Sequence, residues 1–438
     1  MSSTRVSRPL AISVIGVALA ALVLLAWRAW APAAPQVQVA GHAASASESS
    51  AAAPQALSAS AEAAPASQPA SEAEAGNAMA ANCGIGPLPD VNGRRPSNAR
   101  LQQAAQDAAL LAQRELVNRL RNSPDEVARA VGLMLAASDF TLPPPDLDAC
   151  LSGSPANRNS APDPAAEAAC MAEGEKRQRE VDQQRRTAAV DLEALIDQAQ
   201  MTQSPAVYAL ALQACSGGKA ATGRCAGLSN AHWAELDPDN AAPWLALAQD
   251  LANDPAAQDQ AMLRAAQASR HDGDLSWVSQ QVMQALPPTV QGQVRLQVEV
   301  AAMGVSTTHV YGGYQALGRW CSAEVMADPA RRDTCGHFGE LLSQHGRSML
   351  DLGMGMRLGE RTGQSPERLQ ALAARRQTYT DALSRIATQE WPTVSGQNTA
   401  SQDRQCAAAL RMSAYLSEVA RDGELATISR FLKQEARR

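Results

Sequence analysis

SPAVYALALQACSGGKAATGRCAGLSNAHWAELDPDNAAPWLALAQDLANDPAAQDQAMLRAAQASR, residues Ser204 to Arg270, decides the fold. It reads as four short helices, SPAVYALALQAC, RCAGLSNAHWAELD, NAAPWLALAQDLAN and DPAAQDQAMLRAAQASR. Ser204-Pro205, Asn240 and Asp254-Pro255 carry start signals: a side-chain oxygen to cap the first amides and, twice, a proline where no amide is needed. Cys215 and Cys225 bracket the first turn. The chain on either side follows the same grammar, so the predicted class is all-α, built of antiparallel helix hairpins in an α-solenoid array.

Upstream, Ser97 to Asn122 has Leu101, Ala105, Ala108, Leu111, Leu116 and Leu120 near helical spacing. Ser123-Pro124-Asp125-Glu126 reads as a capping box with proline at the first helical position, opening a helix through Val127, Val131 and Met134. Asp163-Pro164 opens a long helix reaching about Gln200. Its middle, EGEKRQREVDQQRR, is almost wholly polar and reads as a solvated face. Downstream, helices are expected over 274–286, 289–303, 309–321, 334–346, 348–360, 366–389, 402–419 and 424–436. Only QVRLQVEV, Gln293 to Val300, approaches a strand-like alternation, and its neighbours favour a helix.

The N-terminus carries a targeting element. Arg5 and Arg8 precede an apolar run, Pro9 to Trp27, close to the ~20 residues that cross a bilayer. Positive charge before the run keeps the N-terminus in the cytoplasm and sends the rest of the chain into the periplasm. A cleaved signal peptide with a site at Ala29-Trp30-Ala31 is the alternative, but the run exceeds the usual ~7–15 residues of such segments. Ala31 to Ala81 is mostly Ala, Ser and Pro and lacks apolar periodicity, so it reads as a tether with a root-mean-square span of about 40 Å. The expected division is a cytoplasmic tail (1–8), a transmembrane signal anchor (9–30), a disordered linker (31–81), an N-terminal helical region (82–200) and a helical-repeat region (201–438). The expected location is the bacterial inner membrane, single pass, with the bulk of the chain periplasmic.

All eight cysteines fall on the exported side, and an even number in an oxidising compartment reads as disulfides. The chain also contains an echo. Tyr208 precedes Cys215 and Tyr314 precedes Cys321 by the same interval, and a second cysteine follows each, Cys225 and Cys335. Helix, cysteine, turn, cysteine, helix reverses the chain between the two thiols. We therefore pair Cys215 with Cys225 and Cys321 with Cys335, and, on weaker grounds, Cys150 with Cys170.

The segment from Leu236 to Leu251 resembles a tetratricopeptide repeat. Pro238 matches the closing proline of one repeat, and Trp244, Leu247, Ala248 and Leu251 match first-helix positions of the next. Ala261, Ala265 and Ala268 fit the second helix after a one-residue insertion. The resemblance covers about one repeat, residues 236–268, and implies a hairpin in a superhelical stack that binds peptides. Trp244 would then be buried core, and Gln249 and Asp250, one helical face away, would meet a protein or peptide partner in the cell envelope.

Other chemistry is sparse. The net charge of −6 disfavours nucleic acid. Ser216-Gly217-Gly218-Lys219 and Arg361-Thr362-Gly363 resemble the Ser-x-x-Lys and Lys-Thr-Gly motifs of penicillin-binding enzymes, but glycines break the helical turn the first requires. Cys321, Cys335, His337 and His345, or His345 with Met349 and Met356, form metal sets of non-standard spacing. The sequence therefore implies no cofactor and no catalytic residue. The expectation is a tethered binding scaffold; an envelope enzyme of the penicillin-binding or metal-dependent class and a structural spacer are the alternatives.

Overall fold

A computed structural model describes residues 98–141, 164–216, 223–273, 276–306, 311–390 and 399–437. Among them every regular element is helical: α1 (Asn98–Arg121), α2 (Glu126–Ala137), α3 (Pro164–Met201), α4 (Pro205–Ser216), α5 (Asn230–Leu236), α6 (Ala241–Asp250), α7 (Pro255–Gln267), α8 (Ser276–Ala285), α9 (Gly292–Ser306), α10 (Tyr311–Trp320), α11 (Pro329–His345), α12 (Met349–Thr362), α13 (Pro366–Glu390), α14 (Thr399–Asp422) and α15 (Glu424–Glu435). The all-α class expected from the sequence is what the structure shows. None of these helices is long and apolar enough to cross a membrane. The expected anchor and linker lie outside the described residues.

Local chemistry sets the helix starts. Asn240 accepts a hydrogen bond from the Ala242 amide, Asp254 from that of Ala257 and Asp328 from that of Ala330, with proline following both aspartates. Ser348 and Asp351 form a reciprocal capping box on α12. Several expected starts move: the helix read over RCAGLSNAHWAELD is a 3-10 turn at Cys225–Gly227 followed by α5, α9 begins at Gly292 and α14 at Thr399, and two further shifts are set by caps. Asp125, not Ser123, caps α2: its Oδ1 accepts the Ala128 amide at 2.7 Å, and Ser123 Oγ accepts the Asp125 amide one step outside the helix. The α11 helix begins at Pro329 rather than Thr334, because Asp328-Pro329 caps a polar first turn that carries no apolar pattern.

The buried side chains form two cores. The first takes Leu116, Met134, Leu135, Leu195, Ile196, Leu210, Val278 and Val298 from α1 to α4, α8 and α9, and so draws on both sides of Gln200. The second takes Leu245, Met262, Leu317, Phe338, Leu342 and Leu358 from α6, α7 and α10 to α12. Each such aliphatic side chain stabilises the fold by about 1.5–3 kcal/mol relative to exposure. The α9 helix touches α1 and α8 as well as α14, so it is buried on more than one side. That explains the strand-like alternation of QVRLQVEV on a helix.

Consecutive helices mostly pack on one another, with α11 and α12 the most intimate pair. A Cβ on Gly355 would meet Gly339 O at 2.8 Å and Ser343 N at 2.7 Å, so glycine sets that approach. Gly353-Met354-Gly355 is thus a helix-packing element. Gly363, at φ 77°, ends α12 in the left-handed conformation that favours glycine.

Candidate functional site

The α6–α7 hairpin lies at the centre of the second core. Ala241 N donates to Arg270 O at 2.9 Å, closing the open end of the hairpin, and Gln258 Nε2 donates to Ala248 O at 2.9 Å near its turn. The two helices are therefore antiparallel. Ala241, Leu245 and Ala248 are fully buried. Trp244, Leu247 and Leu251 are half-buried and pack against the edge of the core. Trp244 was expected as buried core; Leu245 takes that place, and Trp244 instead donates its indole N–H to Pro238 O at 3.0 Å. Gln249 is half-buried and accepts a bond from Arg319 Nη2 on α10 at 2.6 Å. Asp250 is exposed and accepts one from Asn230 Nδ2 on α5 at 2.8 Å. Both partner-facing candidates thus sit where α6 borders its neighbours.

Beneath this hairpin lies a buried polar hub that spacing along the sequence does not reveal. Asn240 Oδ1 accepts the Asp272 amide at 2.9 Å, and its Nδ2 donates to Asp237 Oδ2 at 3.0 Å. Arg270 bridges Asp237 and Asp272. The next residue, His271, turns inward: it is 6% exposed and its Nδ1 lies 3.2 Å from Asp351 Oδ1. Tyr314 donates to the same oxygen, and its ring packs 5.4 Å from the His271 ring. Asp351 Oδ2 accepts the Arg347 and Ser348 amides at 2.9 Å and the Ser348 hydroxyl at 2.8 Å. Burial pushes the Asp351 carboxyl upward, but the hydrogen bond and electrostatic pull of His271, with bonds from Tyr314 and Ser348, outweigh it and hold the group below its ordinary value. Nearby, burial pushes Glu424 above its ordinary value, against the bond it accepts from the Met349 amide.

A buried His–Asp pair invites comparison with a hydrolytic triad. The geometry here does something else. Among the described residues the hydroxyls bonded to Asp351 belong to Tyr314 and to Ser348, which is occupied in the helix cap. The hub locks the starts of α6 and α12 and the segment after α7 to α10.

The two expected staples are present: Cys215–Cys225 with Cα atoms 5.7 Å apart and Cys321–Cys335 at 5.9 Å. Cys406 is also disulfide-bonded and is buried. The Cys150–Cys170 pairing lies outside the described residues. Because Cys321 and Cys335 are oxidised to each other, neither offers the thiolate that a zinc site needs. Among the described residues no three His, Cys, Asp or Glu side chains converge as metal ligands. Ser216 ends α4, Lys219 lies outside the described residues, and Arg361-Thr362-Gly363 closes a helix rather than a strand.

A second surface feature is an open groove of about 540 Å³ lined by Arg114 of α1 and by Lys176, Arg179, Glu180, Gln183 and Gln184 of α3. No described side chain of α3 between Ala172 and Val190 is buried, as the polar reading of that stretch implied. No family model, no curated protein and no solved structure matches this chain.

Proposed function

We propose that this chain is a periplasmic scaffold, tethered to the inner membrane by Pro9 to Trp27, that binds a protein or peptide partner through its stacked helices. The observation that carries this reading is the α6–α7 hairpin, packed between α5 and α10 in an array of helices that mostly touch their chain neighbours. Such arrays present extended surfaces rather than enclosed pockets. The tetratricopeptide-like positions around residues 236–268 agree with it. The two staples agree with an oxidising compartment. Gln249 and Asp250, at the border of α6 with α10 and α5, are the partner contacts of this reading.

Crosslinking in cells followed by mass spectrometry of what copurifies tests it, with wild type beside Gln249→Ala/Asp250→Ala. The expected result is a protein partner that the double variant loses while its thermal midpoint stays within a few degrees. A partner retained by the variant moves the binding surface elsewhere. A wild-type chain that never brings one down is a spacer. A reporter fused after Ala81 and active only in the cytoplasm overturns the tether and the export together.

A further inference from the structure

We propose that Glu299, at the seam between α9 and α14, is a buried proton-binding site that makes the docking of α14 depend on pH. The proposal goes beyond the scaffold reading and does not rest on it. Glu299 is 1% exposed. Its Oε1 accepts from Arg295 Nε, one turn back on α9, at 2.8 Å, while Arg295 Nη2 turns away to Met283 O at 3.3 Å. The guanidinium therefore bonds one carboxylate oxygen instead of forking to both. Oε2 is fully buried and has no hydrogen-bond partner among the described residues. An ionised carboxylate carries its charge on both oxygens, so one of them buried without a donor is costly, and a proton on that oxygen removes the cost.

The surroundings leave Arg295 as the one charge that acts on Glu299. The α9 helix packs on α1, α8 and α14 and touches the turn at Asp139–Thr141. No side chain of α8 titrates. On α1, Glu115 pairs with Arg119 and Arg121 with Asp191; on α14, Glu418 and Asp422 pair with Arg430. From α14 the buried Ser413 hydroxyl faces Glu299 and, as a donor, favours the ionised form. Burial outweighs Ser413 and Arg295 together and pushes the carboxyl above its ordinary value. Cys406, Ala409, Ser413 and Ala420 are the buried stripe of α14. Cys406 is disulfide-bonded toward one end of the stripe, and Gln280 Nε2 of α8 donates to Ala420 O at 2.7 Å at the other. Glu299 meets the middle.

The direction follows. Below the ordinary 4.5 the carboxyl is neutral whether α14 is docked or open, and the seam has its full stability. As pH rises from 4.5 through the raised value, the open state gives up its proton first and the docked state loses stability. Hydrogen exchange read by mass spectrometry tests this on the purified full-length chain with its disulfides intact, corrected for the pH dependence of intrinsic exchange. Glu299→Gln keeps the shape and removes the charge. The ratio of α14 amide protection, variant to wild type, should rise at least about fivefold from pH 4 to pH 7.5. A ratio that is flat or falls as pH rises overturns the proposal and makes Glu299 a permanently ionised partner of Arg295. If Glu299→Gln does not fold, Ser413→Ala decides: without the donor that favours ionisation, α14 protection should fall more steeply between the same two pH values than in wild type. A Ser413→Ala profile parallel to wild type overturns the proposal as well.

Discussion

The two tyrosine–cysteine modules look alike along the chain and end in different places. In the first, Tyr208 is buried in the first core and its hydroxyl accepts the Ser229 amide at 3.0 Å. Its ring meets His232 edge-on at 5.0 Å, and His232 sits exposed beside Glu235. In the second, Tyr314 donates to a buried carboxylate, and the histidine beside it, His271, is buried against that same carboxylate. Both modules staple a helix end to the next helical element across a short turn. The staple follows from chain geometry, so the echo in sequence reproduces it. The partner of the tyrosine hydroxyl comes from whichever element packs over it, so the echo does not. The first module closes on its own following turn, and the second joins residues from three segments far apart in the chain.

The largest effect should come from breaking the second module at its acceptor. Asp351→Ala removes the group that accepts from Tyr314, His271, Ser348 and two backbone amides, leaving several buried donors unpaired. We expect a loss of about 3–5 kcal/mol in urea unfolding. A loss under about 1 kcal/mol would mean that water replaces the carboxylate and that the hub is not a closed network. The acid limb carries the same signature. The folded-state value of Asp351 lies below its ordinary 3.8. Its contribution is therefore full above that value and lost as pH falls below 3.8 through the depressed folded value. Glu424 acts oppositely: its value is raised above 4.5, so falling pH relieves a cost in the window just above 4.5. Asp351→Asn should flatten the loss below 3.8 and narrow the Glu424 window, because the Asp351 charge helps burial to raise Glu424.

Next in size are the staples. Replacing Cys215 and Cys225, or Cys321 and Cys335, by alanine should cost about 3 kcal/mol each in the chain-entropy model, since the two loops differ little in length. Equal losses would say that each staple acts alone on the unfolded chain. A clearly larger loss for the second pair would show that its staple also holds Tyr314 in place over Asp351.

Much of this was legible before any coordinates. Asn240, Asp254-Pro255 and Ser348 mark helix starts because capping is local chemistry. The cysteine pairings follow from turn length. The register of α6 was less accessible. Trp244 and Leu245 are neighbours on the wheel, and which of them enters the core depends on how α5, α7 and α10 close around the helix. Asp328-Pro329 carried the same signature as Asp254-Pro255, but the polar turn that follows hid it. The hub lay beyond reach because His271, Tyr314 and Asp351 share no spacing; only the repeated tyrosine pointed there.

The smallest predicted difference is the most direct measure of how the modules diverge. Phenylalanine at either tyrosine keeps the ring and its contact with histidine and deletes only the hydroxyl. Tyr208→Phe leaves the Ser229 amide without its acceptor, a neutral bond worth about 0.5–1.5 kcal/mol. Tyr314→Phe removes a donor from an ionised, buried carboxylate, a class of bond worth about 1.5–3 kcal/mol. Tyr314→Phe should therefore lower the unfolding midpoint more. It should also couple to Asp351→Asn in a double-mutant cycle, whereas Tyr208→Phe should not. Equal losses, or additivity between positions 314 and 351, would mean that the tyrosine hydroxyl does not bond the carboxylate in solution. The two modules would then be the same device after all.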